Sequence, residues 1–163
     1  MARRVFFTFH YQRDIWRVNV VRNHWLTKAN ARSAGYWDHS LWEETKKKGD
    51  EAIRKMINDG LVGSSVTTIL IGLKTAGRKW IDYEIKQSVE RGNGIIGVYI
   101  HQIANKVGTT DKKGHNPLDD WTINQNGQNA TLLSIYPTYD WKANNGYKNF
   151  AAWVEKAAKR AGK

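Results

Sequence analysis

The sequence contains no cysteine, only two prolines, and no long apolar run among its 163 residues. The absence of cysteine excludes disulfides and thiolate zinc sites, and it is typical of proteins from a reducing compartment. No apolar run approaches the roughly 18 residues that a membrane-spanning helix needs, and the run at 5–9 is too short for the core of a signal peptide. We therefore expect a cytoplasmic protein with no membrane partner.

Several common motifs of nucleotide and hydrolase chemistry are also missing. Neither G-x-G-x-x-G nor G-x-x-x-x-G-K-[ST] follows the first predicted strand, which argues against an ordinary nicotinamide oxidoreductase or a P-loop enzyme. No G-x-S-x-G elbow is present to supply an acyl-transfer nucleophile. The five histidines show no H-E-x-x-H or comparable ligand spacing, so we predict no metal site.

What the sequence does have is positive charge and many aromatic residues. It carries 26 basic against 15 acidic residues, a net charge of +11, with eight tryptophans and seven tyrosines. Such a charge attracts nucleotides and nucleic acids, and aromatic rings can stack on planar ligands. Because the basic residues are spread along the chain, most of them are expected to form a solvated surface. A basic nucleic-acid-binding protein remains one alternative, and it predicts binding that weakens steeply with salt.

Hydrophobic periodicity predicts an α/β fold. Apolar runs typical of buried strands alternate with stretches of helical period, which indicates a parallel sheet covered on both faces. We predict one domain, 1–163, with a five-stranded parallel sheet whose first and third strands are central. The predicted strands are 5–9, 35–37, 65–72, 95–100 and 131–136, and the predicted helices are 15–30, 50–58, 79–91 and 148–159.

Two local predictions accompany this outline. Asp14 is expected to cap the first helix, and the run at 46–48 is expected to begin a helix. Residues 101–130 have no clear period, and a loop of that length tends to be functional or mobile. Within this loop, Asn116 before Pro117 either borders a ligand cleft or simply forms a turn.

The segment 78–85 is the strongest candidate for the functional site. Trp80 and Glu84 are four residues apart, so they share a helix face just after the third predicted strand. Ligands of open α/β sheets bind at the carboxyl ends of the strands, where His10 and Asp38 are also expected. The simpler interpretation is that Trp80 packs, Glu84 complements the helix dipole, and His10 and Asp38 are loop and capping residues.

The sequence resembles a known family over most of its length. Phe-Thr-Phe-His-Tyr at 7–11 and Arg-Lys-Trp-x-x-x-Glu at 78–84 look like the TIR-like proteins typified by ThsB of the bacterial Thoeris anti-phage system. Further similar segments are 4–6, 20–25, 40–43, 65–72, 92–100 and 139–141. The Arg-Asp-x-x-Pro-Gly loop and the Phe-Trp box of other TIR domains are absent, which counts against ordinary adaptor signalling.

The resemblance implies a three-layer, flavodoxin-like TIR fold and an enzyme that uses NAD as its substrate without a bound cofactor. Glu84 matches the catalytic glutamate of W-x-x-x-E, and Trp80 matches its aromatic residue. The residues expected to bind substrate are Phe9, His10, Tyr11, Asp38, Trp80 and Asn116.

The resemblance also implies what the product does and which partners the protein has. NAD would be cleaved at the nicotinamide–ribose bond to give an ADP-ribose-derived, cyclic signal that activates a separate effector protein. A phage-derived trigger and a second copy of the chain are further expected partners. The remaining alternative is a TIR-like module that binds a partner or nucleotide without turnover.

Overall fold

The computed structural model describes residues 3–37 and 39–163, which form an α/β structure. Strands and helices alternate along most of the chain, as the periodicity predicted. In order, the elements are β1 (Arg3–Thr8), α1 (Tyr11–Leu26), β2 (Ala31–Ala34), α2 (His39–Lys47), α3 (Asp50–Leu61), β3 (Val66–Ile71), α4 (Lys79–Glu90), β4 (Gly94–Tyr99), a 3₁₀ helix (Pro117–Asp120), β5 (Thr122–Gln125), β6 (Gln128–Thr131), α5 (Leu132–Ile135), β7 (Thr138–Asp140) and α6 (Gly146–Arg160).

The main sheet has five parallel strands in the order β2-β1-β3-β4-β7. Counting only these strands, the order is 2-1-3-4-5, that of flavodoxin-like folds. The prediction that the first and third strands are central is confirmed. Because right-handed crossovers connect parallel strands, the loops that follow the strands lie at one edge of the sheet.

Successive residues of β3 face opposite sides of the sheet, and helices cover both sides. Val66 and Leu70 pack with α1 and α6 in one core, which also holds Trp25 and Phe150. Ile69 and Ile71 pack against α4 in a second core. A third cluster joins β1 to the apolar face of α3. The three-layer prediction is therefore confirmed, and β3 is buried along its whole length.

The second strand was predicted too late in the chain. It spans Ala31–Ala34 rather than 35–37, and Gly35 ends it with a φ of +76°. A side chain at Gly35 would also collide with the backbone, because an added Cβ would lie 2.3 Å from Phe7 O. The left-handed backbone, which glycine adopts readily, turns the chain away from the sheet at this point.

The first helix begins four residues earlier than predicted, and His10 caps it instead of Asp14. Nδ1 of His10 accepts a hydrogen bond from the Arg13 backbone N–H at 3.3 Å. Val18, Val21 and Trp25 form the buried face of this helix, whereas Leu26 is 40% exposed. Leu26 is the last helical residue.

Two predictions about the lysine run and the third helix also need correction. Lys46 and Lys47 lie in the last turn of α2 and do not begin a helix, and cations are favoured at that end by the helix dipole. Helix α3 continues through the predicted stop at 58–60 and ends at Leu61, because Leu61 is still buried against β1.

The fifth strand of the sheet was predicted at 131–136, but it is Thr138–Asp140. Leu132–Ile135 forms one helical turn instead, capped by the Thr131 side chain, which accepts from the Ser134 backbone N–H. Between the 3₁₀ helix and this turn, β5 and β6 form an antiparallel hairpin outside the main sheet. Within the described ranges 3–37 and 39–163, no helix is long and apolar enough to cross a membrane.

A buried ion-pair network fixes the segment after β4 onto α1. Arg17, 2% exposed, donates to the carbonyls of Ile103 at 2.7 Å and Thr109 at 3.0 Å. Its guanidinium also pairs with Asp14 at 3.2 Å and Asp111 at 3.1 Å. Burial raises the pKa of Asp14, and the positive charge of Arg17 opposes that rise.

We expect Arg17→Met to lower the free energy of unfolding by about 3–5 kcal/mol, since removal of one partner leaves a buried charge uncompensated. Arg13→Met is the matched control, because Arg13 also pairs with Asp111 but is more exposed, and it should cost less than about 1 kcal/mol. Denaturant unfolding of both variants measures the difference. If both variants lost the same free energy of unfolding, the burial of Arg17 would add nothing to the cost of removing its charge.

Candidate active site

Helix α4 carries the candidate catalytic residue and is anchored to β3 by side-chain hydrogen bonds. The hydroxyls of Thr67 and Ser88 are 2.7 Å apart, and Ser88 also donates to the carbonyl of Glu84 at 2.7 Å. Asn93, just after the helix, donates to Ser64 and Thr67. All these side chains are buried, so their hydrogen bonds fix the position of α4 along the sheet.

A cleft of roughly 360 Å³ opens between the start of α4 and the ends of β1 and β2. This volume lies within the range of small-molecule sites, and the location matches the edge where α/β folds bind ligands. Half of its lining residues are aromatic, and Arg78, Lys79 and the carboxyl of Glu84 also line it. The aromatic members are Phe7, Phe9, Tyr11, Trp37, Trp42 and Trp80.

Glu84 lines this cleft but is only 6% exposed. Burial raises the pKa of Glu84 to about 8, opposed only by the Thr8 hydroxyl. The Thr8 hydroxyl does not reach full hydrogen-bond geometry, and Glu84 Oε2 has no hydrogen-bond partner within residues 3–37 and 39–163. Burial of a carboxyl without a hydrogen-bond partner lowers the stability of the fold. Groups with such strongly shifted pKa values are frequent at functional sites.

Trp80 lies one helical turn before Glu84 and borders the same cleft, as its spacing predicted. The Lys79 ammonium is 4.8 Å from the centre of the Trp80 ring, and the Arg54 guanidinium is 6.0 Å from it. Tyr83 packs against the ring edge-on, with 5.8 Å between centroids. These contacts hold the indole in place while one part of it faces the cleft.

Phe9 and Tyr11 also line the cleft, next to Tyr36. Trp37 and Trp42 also line the cleft and stack on each other, with 6.0 Å between their ring centroids. Neither was among the residues that the sequence predicted for the site. Only the fold brings them to Glu84, because they lie more than 40 residues earlier in the chain.

Two other predicted substrate-binding residues, His10 and Asn116, lie outside the cleft lining. His10 caps α1, and its pKa is lowered by burial and by the positive charges of Arg78 and Arg13. Asn116 is buried, caps the 3₁₀ helix and donates to Thr138 at 2.9 Å. Asp38 lies outside the described residues. The roles of all three in substrate binding stay predictions.

Comparison with known proteins places this arrangement in a family. Residues 6–105 match the family described as Thoeris protein ThsB, TIR-like domain. The chain belongs to this TIR-like family. A curated relative from Bacillus cereus (strain MSX-D12) is 43% identical over 191 aligned residues, which span 94% of this chain and 100% of that protein. That relative is named "Putative cyclic ADP-D-ribose synthase ThsB1".

The region that matches the TIR-like family contains the whole cleft. All the aromatic cleft residues, together with Arg78 and Glu84, fall between positions 6 and 105. The resemblance seen in the sequence is therefore confirmed at the level of the family. The role of each residue within that cleft is a separate question, which the substitutions below address.

We expect Glu84→Gln to stabilise this TIR-like chain at high pH and to leave its stability nearly unchanged near pH 4. The pKa of Glu84 is raised on folding, from 4.5 to about 8, so its contribution to stability is lost as pH rises through that window. At about 1.4 kcal/mol per pKa unit, the variant should be more stable than wild type above pH 8 by up to about 5 kcal/mol.

Thermal unfolding of wild type and Glu84→Gln between pH 4 and 9 measures this difference. The control is Glu90→Gln, which changes an exposed carboxylate on the same helix. A difference that stays constant across the pH range would show that the carboxyl is not desolvated.

Proposed function

We propose that this protein cleaves the nicotinamide–ribose bond of NAD and converts the remainder into a cyclic ADP-ribose-type product. The observation that carries the proposal is the buried carboxyl of Glu84, which lines an aromatic cleft and whose Oε2 has no hydrogen-bond partner among the described residues. The printed name of the Bacillus cereus relative supports the same chemistry. In this proposal Glu84 is the catalytic residue, and Trp80 forms an aromatic wall beside the reacting ribose.

The reaction needs a negative charge close to the ribose. When the glycosidic bond breaks, its electron pair goes to the nicotinamide nitrogen, which becomes neutral, and the ribose carbon develops oxocarbenium character. An ionised Glu84 stabilises that positive charge and accepts hydrogen bonds from the ribose hydroxyls. Preorganised charge in a site that excludes water contributes far more than the same charge in solvent.

The substrate itself helps to ionise Glu84. With a pKa of about 8, the carboxyl is mostly protonated in the free protein at neutral pH. The nicotinamide ring of NAD is positively charged, and a positive charge a few ångströms away favours the ionised form. Binding of NAD therefore lowers the pKa of Glu84, and nicotinamide release removes the positive charge again.

A cyclic product follows if the adenosine part of the same molecule reaches the ribose carbon before water does. The new bond joins that carbon to an adenosine atom, and one proton is released overall. The aromatic walls of the cleft favour this outcome, since they limit the access of water. As the family is that of Thoeris ThsB, we further propose that the product activates a separate effector protein after a phage-derived trigger.

We expect Glu84→Gln to reduce nicotinamide release from NAD by about a hundredfold or more, because the neutral amide cannot offset the charge of the transition state. Glu90→Gln should retain wild-type activity. The measurement is nicotinamide and product formation followed by mass spectrometry, with and without lysate from phage-infected cells. Wild-type activity in Glu84→Gln would overturn the catalytic role of Glu84. Absence of nicotinamide release from wild type, with and without the lysate, would instead favour a non-catalytic interaction module.

We expect kcat/KM for NAD to rise with pH and to level off above about 8, because kcat/KM reports the ionisation of the free enzyme. The midpoint of the kcat profile should lie at lower pH, since bound NAD favours the ionised carboxylate. Steady-state rates between pH 6 and 9 test both points. A kcat/KM that is flat from pH 6 to 9 would mean that Glu84 is already ionised in the free enzyme.

A further inference from the structure

A further groove, of roughly 200 Å³, is lined by Trp80 but not by Glu84. Three aromatic side chains and three cations line it, together with one carboxylate. Its members are Arg54, Lys79, Trp80, Asp82, Tyr83, Lys86 and Trp121. Nothing in the proposed chemistry at Glu84 uses this outer groove.

Trp121 is the most exposed ring of the outer groove, at 44%. It follows the 3₁₀ helix, and its indole N–H donates to Asp82 Oδ1 at 3.2 Å. This hydrogen bond fixes one edge of the ring to the first turn of α4 while leaving much of the indole uncovered. An exposed tryptophan held in one orientation provides a stacking surface.

Asp82 has a second oxygen that can accept a hydrogen bond. Oδ1 accepts the hydrogen bond of the Trp121 indole, and a carboxylate has capacity to accept further bonds at Oδ2. Asp82 lies partly buried beside Asp120, and burial and that neighbouring charge both raise its pKa. The outer groove therefore presents the aromatic face of Trp121 beside a hydrogen-bond acceptor, the carboxylate of Asp82.

The outer groove is adjacent to the cleft, because Lys79 and Trp80 line both. Lys79 stands between them with its ammonium over the Trp80 ring, and it pairs with the exposed carboxylate of Asp50. An exposed ion pair contributes little, so a phosphate can take the place of Asp50 at small cost. Arg78, at the start of α4, adds a second cation on the cleft side.

We propose that the outer groove binds the adenine base of NAD. This inference rests on the proposed function, in which the nicotinamide riboside half lies in the cleft beside Glu84. Lys79 lines both the cleft and the outer groove, so its ammonium can pair with the diphosphate that joins the two halves of NAD. Adenine stacks on Trp121, and its exocyclic amine donates to Oδ2 of Asp82.

The recognition of adenine by Asp82 predicts discrimination against a base that lacks the amine. Nicotinamide hypoxanthine dinucleotide has a carbonyl oxygen in that position, which would face the carboxylate oxygen. A binding site whose carboxylate accepts a hydrogen bond from an amine binds an analogue without that amine more weakly, because the carboxylate oxygen is then left without a partner. Wild type should therefore prefer NAD over the hypoxanthine analogue.

The first experiment compares kcat/KM for these two dinucleotides in wild type and in Asp82→Asn. The asparagine keeps an oxygen for the Trp121 indole, but its amide can also donate to the hypoxanthine carbonyl. We expect wild type to prefer NAD by about tenfold or more and the variant to lose most of that preference. Asp59→Asn, an exposed change on α3, is the control and should keep the preference.

The second experiment measures the affinity for ADP-ribose by titration calorimetry, which needs no turnover. Stacking of one base on an aromatic ring contributes about 1–3 kcal/mol, so Trp121→Ala should weaken binding by roughly five- to a hundredfold. Trp16→Ala is the control, because Trp16 is equally exposed, at 48%, but lies on α1 outside both grooves. Thermal unfolding confirms that each variant is folded.

The outcomes separate the two proposals. If wild type releases nicotinamide but both Trp121→Ala and Asp82→Asn behave like it, the adenine site is wrong and the proposed function stands. If wild type binds ADP-ribose through Trp121 but never releases nicotinamide from NAD, the proposed function is wrong and the adenine site stands. Equal use of both dinucleotides by wild type would overturn the role of Asp82.

Discussion

The position of Glu84 depends on how α4 is fixed to the central strand β3. The hydrogen bond between Thr67 and Ser88 joins the two elements one turn beyond Glu84, in a region that water does not reach. Apolar contacts of Ile81 and Ile85 alone would allow the helix to slide along the sheet, since such contacts are not directional. The buried hydroxyls define one register, and this register places the Glu84 carboxyl next to Thr8 at the end of β1.

The same register places the Glu84 carboxyl among aromatic rings, although this environment disfavours its ionised form. Aromatic rings exclude water from the Glu84 carboxyl, which makes its ionisation unfavourable in the free protein. In the proposed reaction, that cost is recovered when a cationic ring binds and when positive charge develops on the ribose. In that proposal, the fold loses part of its stability so that the cleft can bind a positively charged ligand.

The sequence predicted the layers, the alternation of strands and helices, and the helix that holds Trp80 and Glu84, because these depend on periodic patterns of apolar residues. It did not predict where β2 ends, since Gly35 acts through its positive φ and its close approach to Phe7 O. The fifth strand of the sheet was also misplaced, because Leu132 is buried in a helical turn and not in a strand. The stacked Trp37 and Trp42 could not be assigned to the cleft without the fold, since no local pattern links them to Glu84.

The network around Arg17 has a consequence for the long segment that follows β4. Residues 101–116 contain no helix or strand, yet their carbonyls at Ile103 and Thr109 are bound to a guanidinium that is buried under α1. Opening this segment would expose Arg17 together with Asp14, which is far more costly than the fraying of an ordinary surface loop. The segment therefore belongs to the same cooperative unit as the sheet. In hydrogen exchange, the amides of Ile103 and Asp111, which bond to Ile100 and His101, should be protected like those of the core.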